Sequence, residues 1–240
     1  MVGNIHSLWG NDIMDVLYTL GNGSLYENQE IKQSVKLLRK HVKFDRLWII
    51  GEEVKLDTNY NFIPFKDQLT RTKNVFRKIV EVCENYDISD DFLYMMDDVF
   101  ILKDIEIANY PVYHSGYLKD YPPMNNYFKE LNNTKMFLVK QSKPTLNFGV
   151  HCPIVYNKEK IMQIDSFYWK YVNSGPNREL NPRILYGNWF EHSNKEFTKD
   201  CKLIQDYPME TLKELLKDKE WFSIGSRSYD GNIKKYLEQL

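Results

Sequence analysis

The chain has 240 residues and a mass of 28.7 kDa, which suits one large domain or two small lobes that share a core. Hydrophobic residues make up 42% and charged residues 27%, so collagen-like, disordered and small peptide-scaffold classes are excluded. The 32 basic and 33 acidic side chains give a net charge of −1, and no global positive field attracts the chain to nucleic acid or to an anionic membrane.

Cysteine use and the amino terminus indicate the compartment. The three cysteines, Cys83, Cys152 and Cys201, are widely spaced and form no C-x-x-C pair, so neither a disulfide framework nor a cysteine zinc site is predicted. Residues 1–13 lack a basic segment followed by an apolar run, and no 18 apolar residues follow one another anywhere. We therefore expect a cytoplasmic protein with reduced thiols and no membrane span.

Two successive strand–helix–strand patterns occupy the first hundred residues. Strand formers at 15–20 lead into a glycine turn at 21–24, helical spacing follows over 31–42, and an apolar run at 46–50 ends at Gly51. A second helical face over 72–86 precedes the apolar run 92–96, which stops at Asp97 and Asp98. These patterns predict a Rossmann-like, three-layer α/β sandwich with a mostly parallel central sheet. Ligands of such sheets bind beyond the carboxyl ends of the strands, so the glycine turn, Gly51 and the acidic pair should share one rim.

The second half of the chain is harder to interpret. Seven prolines between 111 and 182 predict short pieces and long functional loops. Regular structure is predicted again for a helix after Pro208, a strand over Trp221–Ile224 and a last helix from Asp230. We expect a single domain over residues 1–240, with a ligand-binding half at about 12–110 and a loop-rich half at about 111–240.

Asp97 and Asp98 are the strongest chemical signal. Two adjacent carboxylates directly after an apolar strand are costly unless a cation lies beside them. Mn²⁺ and Mg²⁺ bind carboxylate oxygens together with phosphate oxygens, and a turn after a strand directs such side chains into the ligand crevice. An acidic surface turn without function is the alternative.

Basic residues and histidines add a second signal. Arg71 and Lys73 lie at the start of a predicted helix, where the backbone N–H groups also favour an anion such as a diphosphate. A solvated helix face is the alternative. His151 and His192 lie in loops and are possible metal ligands or bases. Motifs of serine hydrolases, zinc proteases and P-loop NTPases are missing, which leaves metal-assisted transfer from a nucleotide-linked donor.

Several segments together resemble nucleotide-sugar transferases of the GT-A fold, and within that fold the Stealth family of sugar-phosphate transferases. The strongest of them are Asp15-Val-Leu-Tyr-Thr, residues 28–38, Arg46-Leu-Trp-Ile-Ile and Asp91-Phe-Leu-Tyr-Met-Met-Asp-Asp-Val-Phe-Ile. Residues 150–158 resemble that family's histidine–proline block, and residues 220–224 are weakly similar to its last block.

Two departures from the family pattern affect the expected reaction. Residues 20–24 read Leu-Gly-Asn-Gly-Ser and lack the aspartate of the family's first block, and Gly225-Ser226 stands where an asparagine–aspartate pair is expected. Both changes remove acidic groups that sugar-phosphate transfer would use. The resemblance therefore implies a metal-dependent glycosyltransferase that moves a sugar to an acceptor hydroxyl. The alternatives are sugar-1-phosphate transfer to a polysaccharide and a non-catalytic nucleotide-sugar binding module.

The resemblance and the expected rim assign roles to particular residues. Mn²⁺ or Mg²⁺ is expected at Asp97, Asp98 and His151, and Asp165, Glu191 and His192 are candidates for the catalytic base. The donor, most simply a UDP-sugar, is expected to bind Tyr18, Thr19, Gly21, Asn22, Arg71, Lys73 and Asn74. We expect the acceptor to be a glycan or polymer hydroxyl, with modified DNA as a second choice, bound by the half beyond residue 110.

Overall fold

The computed structural model describes residues 14–22, 24–176, 178–190 and 195–240. In chain order its elements are β1 (Asp15–Thr19), α1 (Glu30–His41), β2 (Leu47–Gly51), β3 (Asn61–Pro64), α2 (Arg71–Asn85), β4 (Asp91–Met95), β5 (Val99–Ile101), a 3₁₀ turn (Ile107–Asn109), β6 (Val112–His114), α3 (Asn126–Lys140), β7 (Ile154–Asn157), α4 (Lys158–Val172), α5 (Pro182–Trp189), β8 (Lys195–Phe197), β9 (Lys202–Leu203), α6 (Met209–Leu216), β10 (Trp221–Ile224) and α7 (Gly231–Gln239).

The central sheet has five strands in the order β3-β2-β1-β4-β7. The first four are parallel, and β7 is antiparallel to β4. Tyr18 of β1 lies opposite Ile49 of β2 and Met95 of β4, so the carboxyl ends of these strands meet at one edge of the sheet. The expected α/β fold with a mostly parallel central sheet is confirmed.

Helices cover both faces of this sheet, which gives the three layers. Successive residues of a strand point to opposite faces. Leu17 accordingly packs in the core that contains Phe76 of α2, whereas Val16 and Tyr18 pack in the core that contains Ile31 of α1. A third core joins β5, β9 and β10 to α6 and α7. Because helices cover both faces, the side chains of the parallel strands are buried on both sides, which explains their almost continuously apolar sequences.

The expectation of a loop-rich second half is wrong for three long segments. Helices α3, α4 and α5 and the strand β7 occupy much of residues 126–189. Two of the prolines there lie at element boundaries, where they are tolerated. Pro182 is the first residue of α5, which is capped by the Asn181 side chain accepting a hydrogen bond from Ile184 N, and Pro153 directly precedes β7. The helix after Pro208, the strand at 221–224 and the last helix are confirmed.

A small second sheet, ordered β5-β10-β9, adjoins the rim. Its first strand begins at Val99, directly after the acidic pair, and Ile224 N donates a 3.1 Å hydrogen bond to the Asp98 carbonyl. Ser223 lies opposite both Val99 and Lys202. The sheet therefore brings the ends of β9 and β10 beside Asp98. Within the described part of the chain, no helix combines the length and the apolar character that crossing a membrane requires.

Candidate active site

The acidic pair and His151 meet at the carboxyl edge of the central sheet. Asp97 and Asp98 form the turn between β4 and β5, and His151 lies just before β7. Strand β7 runs antiparallel to β4, with Ile154 opposite Tyr94, so the start of β7 lies beside the carboxyl end of β4. The result is a distance of 3.8 Å between His151 Nδ1 and Asp98 Oδ2. The resemblance assigned His151 and the acidic pair to one metal site, and the structure brings His151 next to Asp98.

The acidic pair is held in an unfavourable environment. Burial raises the pKa of Asp97 to about 7, and repulsion from Asp98 and Glu30 acts in the same direction. Burial also raises the pKa of Asp98, although Lys202 and Arg71 oppose the effect. Asp98 Oδ1 is buried and makes no hydrogen bond. A buried carboxylate oxygen without a donor is the kind of group that an added cation would stabilise.

Glu30 is a third carboxylate at the rim, and it was not predicted from the sequence. It begins α1 and is only 8% exposed. Its Oε1 accepts a 2.8 Å hydrogen bond from Ser24 Oγ, whereas its Oε2 is buried without a partner. Ser24 Oγ also accepts from the backbone N–H groups of Tyr26 and Asn28, which fixes the turn after β1. The position of Glu30 directly before the apolar face of α1 was the signal that could have identified it.

His151 is a neutral imidazole near neutral pH. Burial lowers its pKa to about 3, and the nearby positive charges of Lys202, Arg183 and Arg71 act in the same direction. Lys202 Nζ lies 3.2 Å from both Nδ1 and Nε2 of the ring. The neutral form is the one that binds metal ions.

Arg183 is a second residue that the sequence did not indicate. Its Nε donates to Phe148 O at 2.9 Å and its Nη2 contacts Cys152 Sγ at 3.1 Å, so the guanidinium is fixed behind His151. Its Nη1 is buried and has no hydrogen-bond partner. A buried guanidinium nitrogen in this state is suited to an anion such as phosphate. The sequence signal was weak, because a lone arginine in the first turn of a helix is ordinarily a surface residue.

The residues present fit a divalent cation that also binds phosphate. Within the described ranges, no three Asp, Glu, His or Cys side chains are grouped so that they could hold a metal ion by themselves. Asp98 offers a free oxygen, and neutral His151 lies beside it. Mg²⁺ and Mn²⁺ usually take one or two protein carboxylates and complete their coordination with substrate phosphates and water. Metal binding at Asp97, Asp98 and His151 stays a prediction.

The predicted donor residues of β1 are internal. Tyr18 is fully buried, and its hydroxyl is 2.9 Å from Ser34 Oγ. Thr19 Oγ1 is 2.9 Å from the buried hydroxyl of Tyr94. A donor would therefore meet the backbone after β1, at Gly21 and the exposed Asn22, rather than these two side chains.

The three predicted residues at the start of α2 have different surroundings. Arg71 is exposed, and its charge acts on Asp97, Asp98 and His151, which places it near the rim. Lys73 forms a 3.2 Å ion pair with Glu179. Asn74 is buried, accepts hydrogen bonds from the backbone of residues 68 and 69, and donates to Leu69 O. Only Arg71 is thus both exposed and coupled to the acidic pair.

Of the three predicted bases, the structure describes Asp165, which does not lie at the rim. Asp165 lies on α4, where burial raises its pKa, a hydrogen bond from Trp169 opposes this, and Glu84 of α2 adds repulsion. The structure thus places Asp165 in the packing between α4 and α2. Glu191 and His192 lie outside the described residues.

A buried lysine fixes the end of β1. Lys78 of α2 is 2% exposed, donates to Leu20 O and forms a 2.6 Å ion pair with Asp67. Gly51 packs against the same carbonyl with a φ of +126°, and a Cβ there would lie 1.9 Å from Leu20 O. The turn after β1 is therefore positioned from both sides by buried groups.

Comparison with known proteins adds distant similarities of fold. No protein-family model and no curated protein matches the chain. The galactosyltransferase LgtC, solved with donor and acceptor sugar analogues, is 11% identical over 88% of this chain and 87% of that one, with a TM-score of 0.49. A glycosyltransferase involved in glycosylation of the major capsid of PBCV-1 is 12% identical over 95% and 100%, with a TM-score of 0.42. GlyE of Streptococcus pneumoniae TIGR4, also a glycosyltransferase, is 10% identical over 79% and 46%, with a TM-score of 0.40.

These identities and scores are low, so the function proposed below rests on the geometry of the rim. The resemblance to the Stealth family stays a prediction.

Proposed function

We propose that the chain is a glycosyltransferase that uses a nucleotide sugar, most simply a UDP-sugar, together with Mn²⁺ or Mg²⁺. The observation that carries the proposal is the buried, unpartnered Oδ1 of Asp98 beside the neutral ring of His151 at the ligand-binding edge of a parallel sheet. Carboxylates and guanidinium groups at one rim suit a ligand that brings both a cation and phosphates.

The residues at the rim divide into three roles. Asp98 and His151, with Asp97 beside them, would hold the cation, which when bound would neutralise the negative charge of the diphosphate leaving group. Arg71 and the free Nη1 of Arg183 would bind phosphate oxygens. The third role, removal of the proton from the acceptor hydroxyl, needs another carboxylate.

Glu30 is the described carboxylate best suited to act as the base. Its Oε2 carries no hydrogen bond, and its charge acts on Asp97. In the proposed step the acceptor oxygen forms a bond to the anomeric carbon while the bond from that carbon to the phosphate oxygen breaks. The hydroxyl proton moves to Glu30, and the nucleoside diphosphate leaves with the bonding electron pair. We propose a glycan or polymer hydroxyl as the acceptor.

Sugar-1-phosphate transfer is the second candidate. The positions that would carry its asparagine–aspartate pair, Gly225 and Ser226, directly follow Ile224, whose N–H donates to the Asp98 carbonyl. The aspartate is thus missing next to the site where that reaction would need it, which favours glycosyl transfer. The products differ, because only sugar-1-phosphate transfer leaves phosphate on the acceptor and releases nucleoside monophosphate.

A screen of nucleotide sugars by thermal shift, with and without Mn²⁺, tests the proposal. A donor at about 100 times its Kd should stabilise the protein by about 2.7 kcal/mol. Asp98→Asn should remove the Mn²⁺-dependent part of this shift, whereas the exposed Asp218→Asn should keep it. The donor found in this way is then incubated with an acceptor panel, and product masses identify the transferred group.

The proposal is contradicted if no nucleotide sugar stabilises the protein in the presence of Mn²⁺. If the protein binds a donor tightly but neither transfers the sugar nor slowly hydrolyses the donor, it is a non-catalytic binding module.

His151→Ala separates a role at the donor from a role as base. We expect both donor affinity in Mn²⁺ and turnover to fall by at least about tenfold, equivalent to about 1.4 kcal/mol, because the ring lies beside Asp98. A base would lose turnover with donor affinity intact. Smaller changes in both quantities would mean that His151 is structural.

A further inference from the structure

Lys202 is a cation beside His151, and the proposed function gives it no role. It lies on β9, opposite Ser223 of β10, which in turn lies opposite Val99 of β5. Residues in register across neighbouring strands share a face of the sheet. The sheet therefore places Lys202 on the same face as Val99, the residue after Asp98, although Lys202 and Val99 are far apart in the sequence.

The ammonium group of Lys202 contacts His151, and its charge acts on Asp98 over a longer distance. Its Nζ lies 3.2 Å from both ring nitrogens of His151. It is also the strongest favourable charge acting on Asp98, and Asp98 and Asp200 together stabilise its charged form. Lysine has three donors and no acceptor, and a neutral imidazole has one acceptor nitrogen, so one of the two ring contacts can be a hydrogen bond. That hydrogen bond uses the lone pair that a divalent cation would also use, and the charge of Lys202 acts on the same carboxylate as the cation would.

We propose that Lys202 is a cation supplied by the protein at the acidic pair, which competes with a divalent metal for Asp98 and His151 and binds diphosphate when no metal is present. The competition rests on the contact with His151 and on the charge interaction with Asp98, and the diphosphate part rests on the proposed function. The consequence is a site that binds metal weakly by itself and that keeps part of its affinity for a nucleoside diphosphate after chelation of metals.

Lys202→Met tests both parts, because methionine keeps most of the length and apolar volume of the side chain and removes the charge. Mn²⁺ binding without nucleotide is measured by electron paramagnetic resonance of the free ion. The affinity for UDP is measured by calorimetry in EDTA and in Mn²⁺. Lys199→Met is the matched control, because Lys199 is exposed on the same segment. Lys202→Arg retains the charge and should keep UDP binding in EDTA. Thermal unfolding shows whether each variant is folded.

We expect Lys202→Met to bind Mn²⁺ about tenfold more tightly than the wild type and to bind UDP in EDTA at least about tenfold more weakly, because it removes one positive charge next to Asp98. Lys199→Met should change neither quantity by more than about twofold. Unchanged or weaker Mn²⁺ binding in Lys202→Met would overturn the proposed competition. Tighter Mn²⁺ binding with no UDP binding to any form would support the competition and contradict the proposed function.

Discussion

Glu130 of α3 gives a sharp test of the electrostatics next to the site. It is 3% exposed, and its carboxylate joins three helices. Thr72 Oγ1 of α2 donates to its Oε2 at 2.8 Å, and Asn181 Nδ2, at the cap of α5, donates to its Oε1 at 2.7 Å. Burial raises the pKa of Glu130 to about 7, and these two hydrogen bonds only partly oppose the effect. The ionised form is therefore disfavoured in the folded protein.

The sign of the effect on stability follows from where the proton is bound. Below about pH 4.5 Glu130 is protonated in both states and contributes no difference. Between about pH 4.5 and about 7 the folded state holds a proton that the unfolded state has lost, so stability falls as the pH rises. Above about pH 7 Glu130 is ionised in both states, and the folded state bears the full free-energy cost of the buried charge. The pKa change from 4.5 to about 7 makes this cost about 3 kcal/mol.

Glu130→Gln should remove this cost without losing the hydrogen bonds. The glutamine Oε1 can accept a hydrogen bond from Asn181 Nδ2. The Asn181 amide keeps its orientation, because its Oδ1 already accepts a hydrogen bond from Ile184 N. The Thr72 hydroxyl can rotate to accept from the new Nε2. We expect a gain of about 1 to 3 kcal/mol near pH 8.5, or about 3 to 8 °C in Tm, and no gain near pH 4.5.

Thermal unfolding of both proteins at the two pH values measures this difference. Glu214→Gln is the control, since Glu214 is exposed and should change stability by less than about 0.5 kcal/mol. The reasoning is refuted if Glu130→Gln is no more stable than the wild type near pH 8.5, or if its gain is the same at both pH values.

Two further substitutions test how the turn after β1 is held. Lys78→Met should lower the free energy of unfolding in urea by about 2 to 4 kcal/mol, because Asp67 loses its ion-pair partner and Leu20 O loses a donor. Arg77→Met, at an exposed position, should lower it by less than about 0.5 kcal/mol, and equal losses would contradict the role of the buried pair. Gly51→Ala should lower the free energy of unfolding by at least about 3 kcal/mol or prevent folding, because the new Cβ would overlap Leu20 O at a positive φ. A Gly51→Ala protein with the same Tm as the wild type would show that this geometry is wrong.

The first half of the fold was predictable because its signals are local. Strands β1, β2 and β4 are buried on both faces and read as apolar runs, and α1 and α2 show clear helical spacing. Strand β3 was missed because it is four residues long, polar at its first residue and ends in a proline, as edge strands often do. Helices α3, α4 and α5 were missed because prolines were interpreted as loops, although those near α5 and β7 lie at element boundaries.

The site was predictable only where its signal lies in adjacent residues. Asp97 and Asp98 were identified because two carboxylates after an apolar run are unusual in any fold. Glu30, Arg183 and Lys202 are single charged residues in segments that resemble solvated surfaces. The contacts that place Arg183 and Lys202 at the site cross large distances in the chain, such as that between Lys202 and His151. Spacing cannot show such contacts, because they are created by the order of the strands.

The small sheet shows how strand order determines the charge at the rim. Strand β5 leaves directly from Asp98, β10 pairs with β5, and β9 brings Lys202 into register with Ser223. A slip of one residue between β9 and β10 would turn Lys202 to the opposite face of the sheet and leave Asp98 with less compensating charge. The register of this sheet therefore decides how much positive charge the protein itself supplies to Asp97 and Asp98. Under the proposal for Lys202, it also decides how strongly these carboxylates attract an added cation.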